Sequence, residues 1–598
     1  MQKFINKSGE DFDNAVSFLS VLNVIALDTE TTSVDPLDGK ILLISAGNGD
    51  IQYVFDVAHI GEAIAPLLKV LANKKILKIL HNAKFDYKFF YRDLGTEIEP
   101  VFDTMLAEML LLKGRKVQGV FGLDDVADKY LGIKLDKDIR KSFAGMVFGD
   151  DFSNDQIKYS GEDVQYLHKI RDAQLAFIRK HELEKVCQIE MDVLPSVAEM
   201  ELYGVYIDRV KWLKAEEDAK TARDAALIKL DEFFIPHVGA DIFGRAQINY
   251  NSPKQLLPRI KDIVGTAAKG LTSTNEASLK TIEHPLILAI LDYKKQAKRI
   301  STYGVSFLDN VHHVTGRIHS NFSQLYTDTG RFSSSDPNLQ NIPRLKVYRQ
   351  SFTSGDPRYR IITIDYSGME LRILADLSKE DKWIEVFKNK GDLHCEIGTM
   401  LWGVPIRVPG TNGPGDPGEN YELRQPTKTL NFGISYGMGP RKFSSQTGIE
   451  YDKARTIVST FWKTFPAIKR YFDKHVAQSI DARCVRCPYD NRLKWIEGVD
   501  FDSQREMAGT RNMCMNFPMQ AGNATITKRA MAIIRNNFQG KDAKIIGTVH
   551  DEIIVRAHES IAQEAYDIVR NGMISAGQEF ITNLPVDVEG KIDMCWNK

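Results

Sequence analysis

The sequence predicts a multidomain chain in which an α/β domain precedes an α+β region. Three observations carry that expectation. At 598 residues the chain is too long for one hydrophobic core, and roughly two to four domains are expected. Strand-like and helix-like patterns alternate over the first stretch, to about residue 185. Further on, widely separated β-branched runs end on carboxylates, with long helical segments between them.

The elements follow in order. VLNVIALDTETT, a turn at Asp35-Pro36-Leu37-Asp38-Gly39 and KILLISAG read as strand–turn–strand. KILKILHNAKFDYKFF (75–90) runs from strand into helix, and 123–132 and 154–180 are helical by their apolar spacing. Residues 186–325 are rich in Ala, Lys, Glu and Leu and read as mostly helical. Their basic stretch 296–308 fits a DNA backbone and a solvated helix face equally well. The loop VPGTNGPGDPGEN (408–420) is irregular by its Gly and Pro content and is assigned no role.

Composition is ordinary for a soluble protein, with 43% hydrophobic and 26% charged residues. A net charge of −1 excludes a global polycation, so any nucleic-acid surface must be local. Of six cysteines only Cys484 and Cys487 are closely spaced, and no second pair follows, so a zinc site is not expected. No apolar run suits a signal peptide or a membrane span, and a cytoplasmic setting is expected.

Three segments carry the chemistry: IITIDYSGMELRIL (361–374), RQPTKTLNFGISYG (424–437) and IIGTVHDEIIV (545–555). Asp365 and Asp551 each stand at a strand end, so remote segments can place two acids on neighbouring strands. Two such acids suit a pair of Mg²⁺ ions about 3.5–4 Å apart, as phosphoryl transfer requires. Between them, Arg424, Lys428, Phe432 and Tyr436 recur at i+4 on one helical face, drifting about 40° per step. Two cations and two rings there suit the phosphates and base of a nucleoside triphosphate.

These segments resemble motifs A, B and C of family A DNA polymerases, the bacterial DNA polymerase I group and its phage relatives. TDTGRFSSSDPNLQNIP (327–343), RNMCMNFPMQ (511–520) and NSPKQL (251–256) are similar to further signatures of that family. Asp28-Thr29-Glu30, Asp86, and Tyr159 with Asp163 resemble the DEDDy, RNase H-like class of 3′→5′ exonucleases. The resemblance implies an exonuclease domain over 1–185, a thumb and the start of the polymerase domain over 186–325, and palm over 326–380. Fingers over 381–500 and a second palm segment over 501–598 complete a right-hand architecture.

The resemblance also implies roles. Asp365 and Asp551, with the Tyr366 carbonyl, would hold two Mg²⁺ ions, and Asp28, Glu30, Asp86 and Asp163 two more, with Mn²⁺ able to substitute. Tyr159 would orient the attacking water. Arg424, Lys428 and His394 would contact the triphosphate, with Lys428 protonating the leaving pyrophosphate. Phe432 and Tyr436 would meet sugar and base, and Glu370, held by the Tyr436 hydroxyl, would exclude a 2′-OH. Arg331, Arg511, Asn516 and Gln520 would read the minor groove of primer–template, where every correct pair offers equivalent acceptors. His550 would lie by the primer terminus, and Glu552 would be accessory at best.

Expected partners are primer–template DNA, dNTPs and single-stranded 3′ ends. A monomer is expected, and the thumb segment is too short for a thioredoxin-binding insertion. The DTE motif begins at residue 28, leaving no room for a preceding 5′-nuclease. Gly368 and Met369 in motif A, Asp376, Thr548 and Thr525 depart from the bacterial pattern. With the missing 5′-nuclease they point to a phage protein acting in a bacterial host's cytoplasm. The rivals are a single-subunit RNA polymerase, a DNA-binding processivity module, and an exonuclease whose C-terminal region binds DNA but polymerises poorly. Glu370 opposes the first, and the pair Asp365 and Asp551 opposes the others.

Overall fold

The computed structural model describes residues 1–116, 120–135, 138–411, 413 and 416–597. Part of the 408–420 loop therefore lies outside the described residues.

The N-terminal region folds around a six-stranded mixed sheet. Its order is Gln2–Ile5, Gln52–Asp56, Ile41–Gly47, Val24–Thr31, Leu77–Leu80 and Val101–Asp103. The strands Ile41–Gly47 and Gln52–Asp56 are buried at every position. Both faces are therefore covered, which is why Ile41–Gly47 reads as a nearly unbroken apolar run. Val24–Thr31 lies centrally, antiparallel to Ile41–Gly47 and parallel to Leu77–Leu80. The 154–180 stretch is two helices, Asn154–Gln165 and Leu167–Lys180, meeting at Tyr166. A Ser153/Gln156 capping box fixes where the first of them starts.

Helix Glu184–Tyr203 crosses the expected boundary at 185. Most of its residues are buried, because it packs on helix Ala83–Asp93 on one side and on Gln504–Asn537 and strand Ala543–Val549 on the other. It is shared by both halves of the chain. Three of its glutamates make the joint. Glu199 accepts from Arg535 (2.6 Å) and from Tyr87, and Glu201 from Lys84 (2.7 Å) and Lys88. Glu190 sits 1% exposed between Lys528 (2.6 Å) and Arg492 (2.7 Å). Burial pushes the Glu190 carboxyl up, but Lys528 and Arg492 pull it further down, so it ends below its ordinary value.

Helices Arg209–Val238, Pro253–Val264 and Pro285–Tyr303 enclose a separate core with Leu230, Phe234, Ile260 and Ile290 at its centre. The C-terminal sheet runs Ala543–Val549, Glu552–His558, Tyr359–Tyr366, Val588–Asp593, all antiparallel. Helix Ala562–Gln578 and the 34-residue helix Gln504–Asn537 pack behind it. The hairpin Cys484–Arg486/Leu493–Trp495 lies within the segment expected as fingers, yet reaches the N-terminal region. Trp495 N–H donates to Lys113 O (2.8 Å), and Leu493 joins the N-terminal core. Among the described residues, no helix is long and apolar enough to cross a membrane.

Candidate active sites

The N-terminal site is built on one strand and two helices. Asp28 and Glu30 alternate along Val24–Thr31 with Thr29 between them. Asp103 accepts from the N–H groups of Asn82 (3.0 Å) and Ala83 (2.9 Å), which fixes the start of helix Ala83–Asp93 and thereby Asp86. Thr29 Oγ1 donates to Asp86 Oδ1 (2.6 Å) and ties helix to strand. Helix Asn154–Gln165 brings Tyr159 and Asp163, one turn apart, to the same place.

Carboxylate oxygens of Asp28, Glu30 and Asp163 all lie within 4.8 Å of one another. They border a cleft of about 700 Å³ that Asp86, Tyr159 and Arg140 also line. Burial, then repulsion from Asp86, Asp163 and Glu30, raises the Asp28 carboxyl well above its ordinary value. Glu30 is pushed up to about 8 by burial and then by Asp163. Asp86 is pushed up to about 7, burial again leading. Burial and Asp163 raise the Tyr159 hydroxyl, which bonds Asp163 and stays protonated. Crowded anions on all-oxygen donors are what a hard divalent cation relieves, so the residues fit Mg²⁺. Sequence reading missed Arg140, whose charge faces Asp28 and Glu30.

The C-terminal site sits at one end of the second sheet. Asp365 is directly opposite Glu552 on one neighbouring strand and Glu589 on the other. Val549 and Glu552 pair across a two-residue tip made of His550 and Asp551. His550 has φ 60°, a left-handed conformation costing on the order of 1 kcal/mol for a residue with a Cβ. Asp365 and Asp551 thus stand at adjoining strand ends, and their oxygen donors fit the same class of ion.

Helix Arg424–Ser435 supplies the cationic wall. Asp392 caps helix Leu393–Trp402 through Cys395 N–H and holds Arg424 at 2.6 Å. Burial, with help from Arg424 and Lys428, pushes His394 down to about 4, so it is neutral at pH 7. Asn431 Nδ2 donates to His394 Nδ1 (3.1 Å), which leaves the proton on Nε2. Phe432 lies 5.8 Å from the His394 ring, and Lys428 is exposed. Tyr436 is the C-cap, one position past the helical face expected for it.

One expected contact is replaced. Glu370 is ion-paired with Arg331, and the Tyr436 hydroxyl accepts from Gln520 Nε2 (3.0 Å). Arg331 and Gln520, both expected at DNA, are therefore engaged with the pocket's own residues. Asn512, Asn516 and Gln520 follow at i+4 along Gln504–Asn537, whereas Arg511 is exposed and about 100° round from Asn512. Asn512, passed over in the sequence, packs on Gly437, where a Cβ would meet its Oδ1 at 1.9 Å. Tyr366 ends the strand with its hydroxyl on Met573 O (2.8 Å). Asp376 accepts from Tyr489 (2.8 Å) and Asn583 N–H (2.9 Å), and Thr525 bonds Asp490 (2.5 Å). Two of the unusual residues are thus structural.

A second His/Asp cluster joins the halves: His312 Nε2 lies 3.1 Å from Asp35, and His313 lies 3.8 Å from Asp38. His312 Nδ1 accepts from Val314 N–H, so Nε2 carries the proton and donates to Asp35. That tautomer suits an interdomain hydrogen bond and not a metal ligand.

The chain is similar to DNA polymerase I of Borreliella burgdorferi (27% identical), Pseudomonas aeruginosa (29%) and Aquifex aeolicus (29%), each match covering 98% of it. It spans 64% and 65% of the first two, under two-thirds of their length, and 98% of the third. A solved structure, the POL domain of Pol1 from M. smegmatis in complex with DNA primer-template and dNTP, shares the fold. Its TM-score is 0.81 at 22% identity, over 99% of both chains. The 3′-5′ exonuclease family model matches residues 5–175 and the DNA polymerase family A model residues 237–598. With that match over the greater part of its length, the chain belongs to DNA polymerase family A, with a 3′-5′ exonuclease domain ahead of its polymerase domain.

Proposed function

We propose that this protein extends primer 3′ ends on a DNA template with dNTPs and proofreads by 3′→5′ hydrolysis of single-stranded ends. The observation that carries the reading is the strand pairing that sets Asp365 beside the hairpin tip bearing Asp551. We assign Mg²⁺ to both sites, with Mn²⁺ able to substitute. Bound there, such an ion neutralises phosphate charge and lowers the pKa of the attacking oxygen.

The chain's own residues do the rest. Asp365, Asp551 and the Tyr366 carbonyl hold the ions of the polymerase site; Asp28, Glu30, Asp86 and Asp163 hold those of the exonuclease site. Arg424 exchanges Asp392 for triphosphate oxygens, a like-for-like trade of one anion for another. Neutral His394 donates Nε2–H to the same phosphates. Exposed Lys428 balances charge on the departing pyrophosphate and protonates it. Phe432 and Tyr436 bound the sugar and base, and Glu370, fixed by Arg331, occupies the space of a 2′-OH. Asn516 and Gln520 read the minor groove with Arg331 and Arg511, and His550 lies by the primer terminus. At the other site Tyr159, kept protonated, orients the attacking water.

Gly368 and Met369 support a phage replicative setting within a bacterial cytoplasm. We expect a monomer, and the short connection between helices Arg209–Val238 and Pro253–Val264 supports one that works without a thioredoxin clamp.

Asp551→Ala tests the reading. Extension should fall below about one part in a thousand, since one carboxylate cannot hold the ions against triphosphate charge, while single-stranded 3′ ends are still digested. Extension at the parental rate would contradict it.

A further inference from the structure

Glu552 sits next to Asp551 in sequence and directly across from Asp365 in the sheet. A third carboxylate so placed should be drawn to any cation the pair binds. Its surroundings oppose that. Glu552 is 1% exposed, and Oε1 accepts from Trp596 Nε1 at 2.5 Å. Arg349 Nη1 lies 3.7 Å from Oε2, and its guanidinium stacks on the Trp596 ring at 4.5 Å. Trp596 is fixed in turn. Its backbone N–H donates to Phe352 O (2.7 Å), its ring meets Phe352 edge-on at 5.7 Å, and Cys595 bridges Thr353. Arg349 also feels the Asp365 charge. Trp596 thus reaches back under the polymerase site and holds one oxygen of one of its acids, while Arg349 faces the other.

We propose that Trp596 and Arg349 are positioning residues that withhold Glu552 from the metal ions bound by Asp365 and Asp551. The proposal rests on the polymerase reading above. Its logic is charge count. Divalent affinity rises with the number of ligating anions, and a third one would bind the ions more tightly in a geometry the reaction does not use. Arg349 neutralises Glu552, and the indole N–H fixes its rotamer. Removing that N–H while keeping the ring should let Glu552 turn toward the ions.

The test uses Mn²⁺ as probe, read by electron paramagnetic resonance on full-length protein. Asp28→Ala with Glu30→Ala in the background silences the other site. Glu552→Gln should bind Mn²⁺ within about twofold of this parent, whereas Asp551→Asn should bind it at least about tenfold more weakly. Trp596→Phe should bind Mn²⁺ severalfold more tightly. Its extension rate should fall about tenfold at unchanged KM for dNTP, as expected when a group orienting a metal site is lost. Adding Glu552→Gln to Trp596→Phe should return Mn²⁺ affinity to the parental value, which loss of structure would not do. Weaker Mn²⁺ binding by Glu552→Gln would make Glu552 a ligand and overturn the proposal. So would unchanged binding by Trp596→Phe, or a change that survives in the double variant. Mn²⁺ binding reads out even if the parent fails to extend primers, so failure of the polymerase reading is seen separately.

Discussion

Glu370 is bound by Arg331, a residue 39 positions earlier in the chain, on the loop that carries the TDTGRFSSS segment. The glutamate is therefore fixed by the loop ahead of strand Tyr359–Tyr366, and Tyr436 is left to pair with Gln520.

Glu370→Ala should raise ribonucleotide insertion and lower deoxynucleotide insertion only modestly, because it opens the space a 2′-OH needs. Arg331→Leu should loosen the same selection by freeing the Glu370 rotamer. Single-nucleotide insertion kinetics with matched rNTP and dNTP measure both. A ribo/deoxyribo ratio unchanged in Glu370→Ala would end the steric role.

Phe432 packs near His394 on the helix that bears Lys428 and has no hydroxyl to stand in for a missing 3′-OH. The enzyme should discriminate against dideoxynucleotides. Phe432→Tyr should relax that by roughly two orders of magnitude, the scale of one buried polar contact made or lost. The assay belongs in the Asp28→Ala/Glu30→Ala background, since proofreading would excise the terminator. Equal dideoxynucleotide use by parent and variant would mean Phe432 does not face the nucleotide.

The ion cluster of Glu190, Lys528 and Arg492 should act as the joint between the two halves. Glu190→Gln leaves two buried cations without their shared anion and should cost about 3–5 kcal/mol. Adding Lys528→Met should recover part of that loss. Thermal unfolding of the three proteins reads it directly; an unchanged midpoint in Glu190→Gln would show that water or Asp490 already compensates.

Much of both sites was legible because it is local. Asp28 and Glu30 lie on an apolar strand, Tyr159 and Asp163 one helical turn apart, and Asp365 and Asp551 at the ends of β-branched runs. Periodicity and turn chemistry place such residues without any tertiary knowledge. The partners that tune these groups were not legible. Arg331 on Glu370, Trp596 on Glu552, Thr29 on Asp86 and Arg140 by Glu30 are contacts between distant segments, and nothing in local pattern encodes them. Asn512 shows the same limit within a helix: it packs on Gly437, about 100° round from the neighbouring Arg511, and local pattern does not encode that contact. The contact of the Cys484–Arg486/Leu493–Trp495 hairpin with the N-terminal half was not legible for a related reason. Only packing decides that Trp495 joins the N-terminal half.

The central claim is that one chain holds two independent metal-carboxylate sites, one adding nucleotides and one removing them. A 3′-recessed, 5′-labelled primer–template incubated with Mg²⁺, with and without dNTPs, tests it most directly on one gel. The parent should lengthen the primer with dNTPs and shorten it without them. Asp28→Ala/Glu30→Ala should lengthen it equally well and shorten it not at all. A parent that only shortens the primer, or a variant that loses both activities together, would contradict the claim.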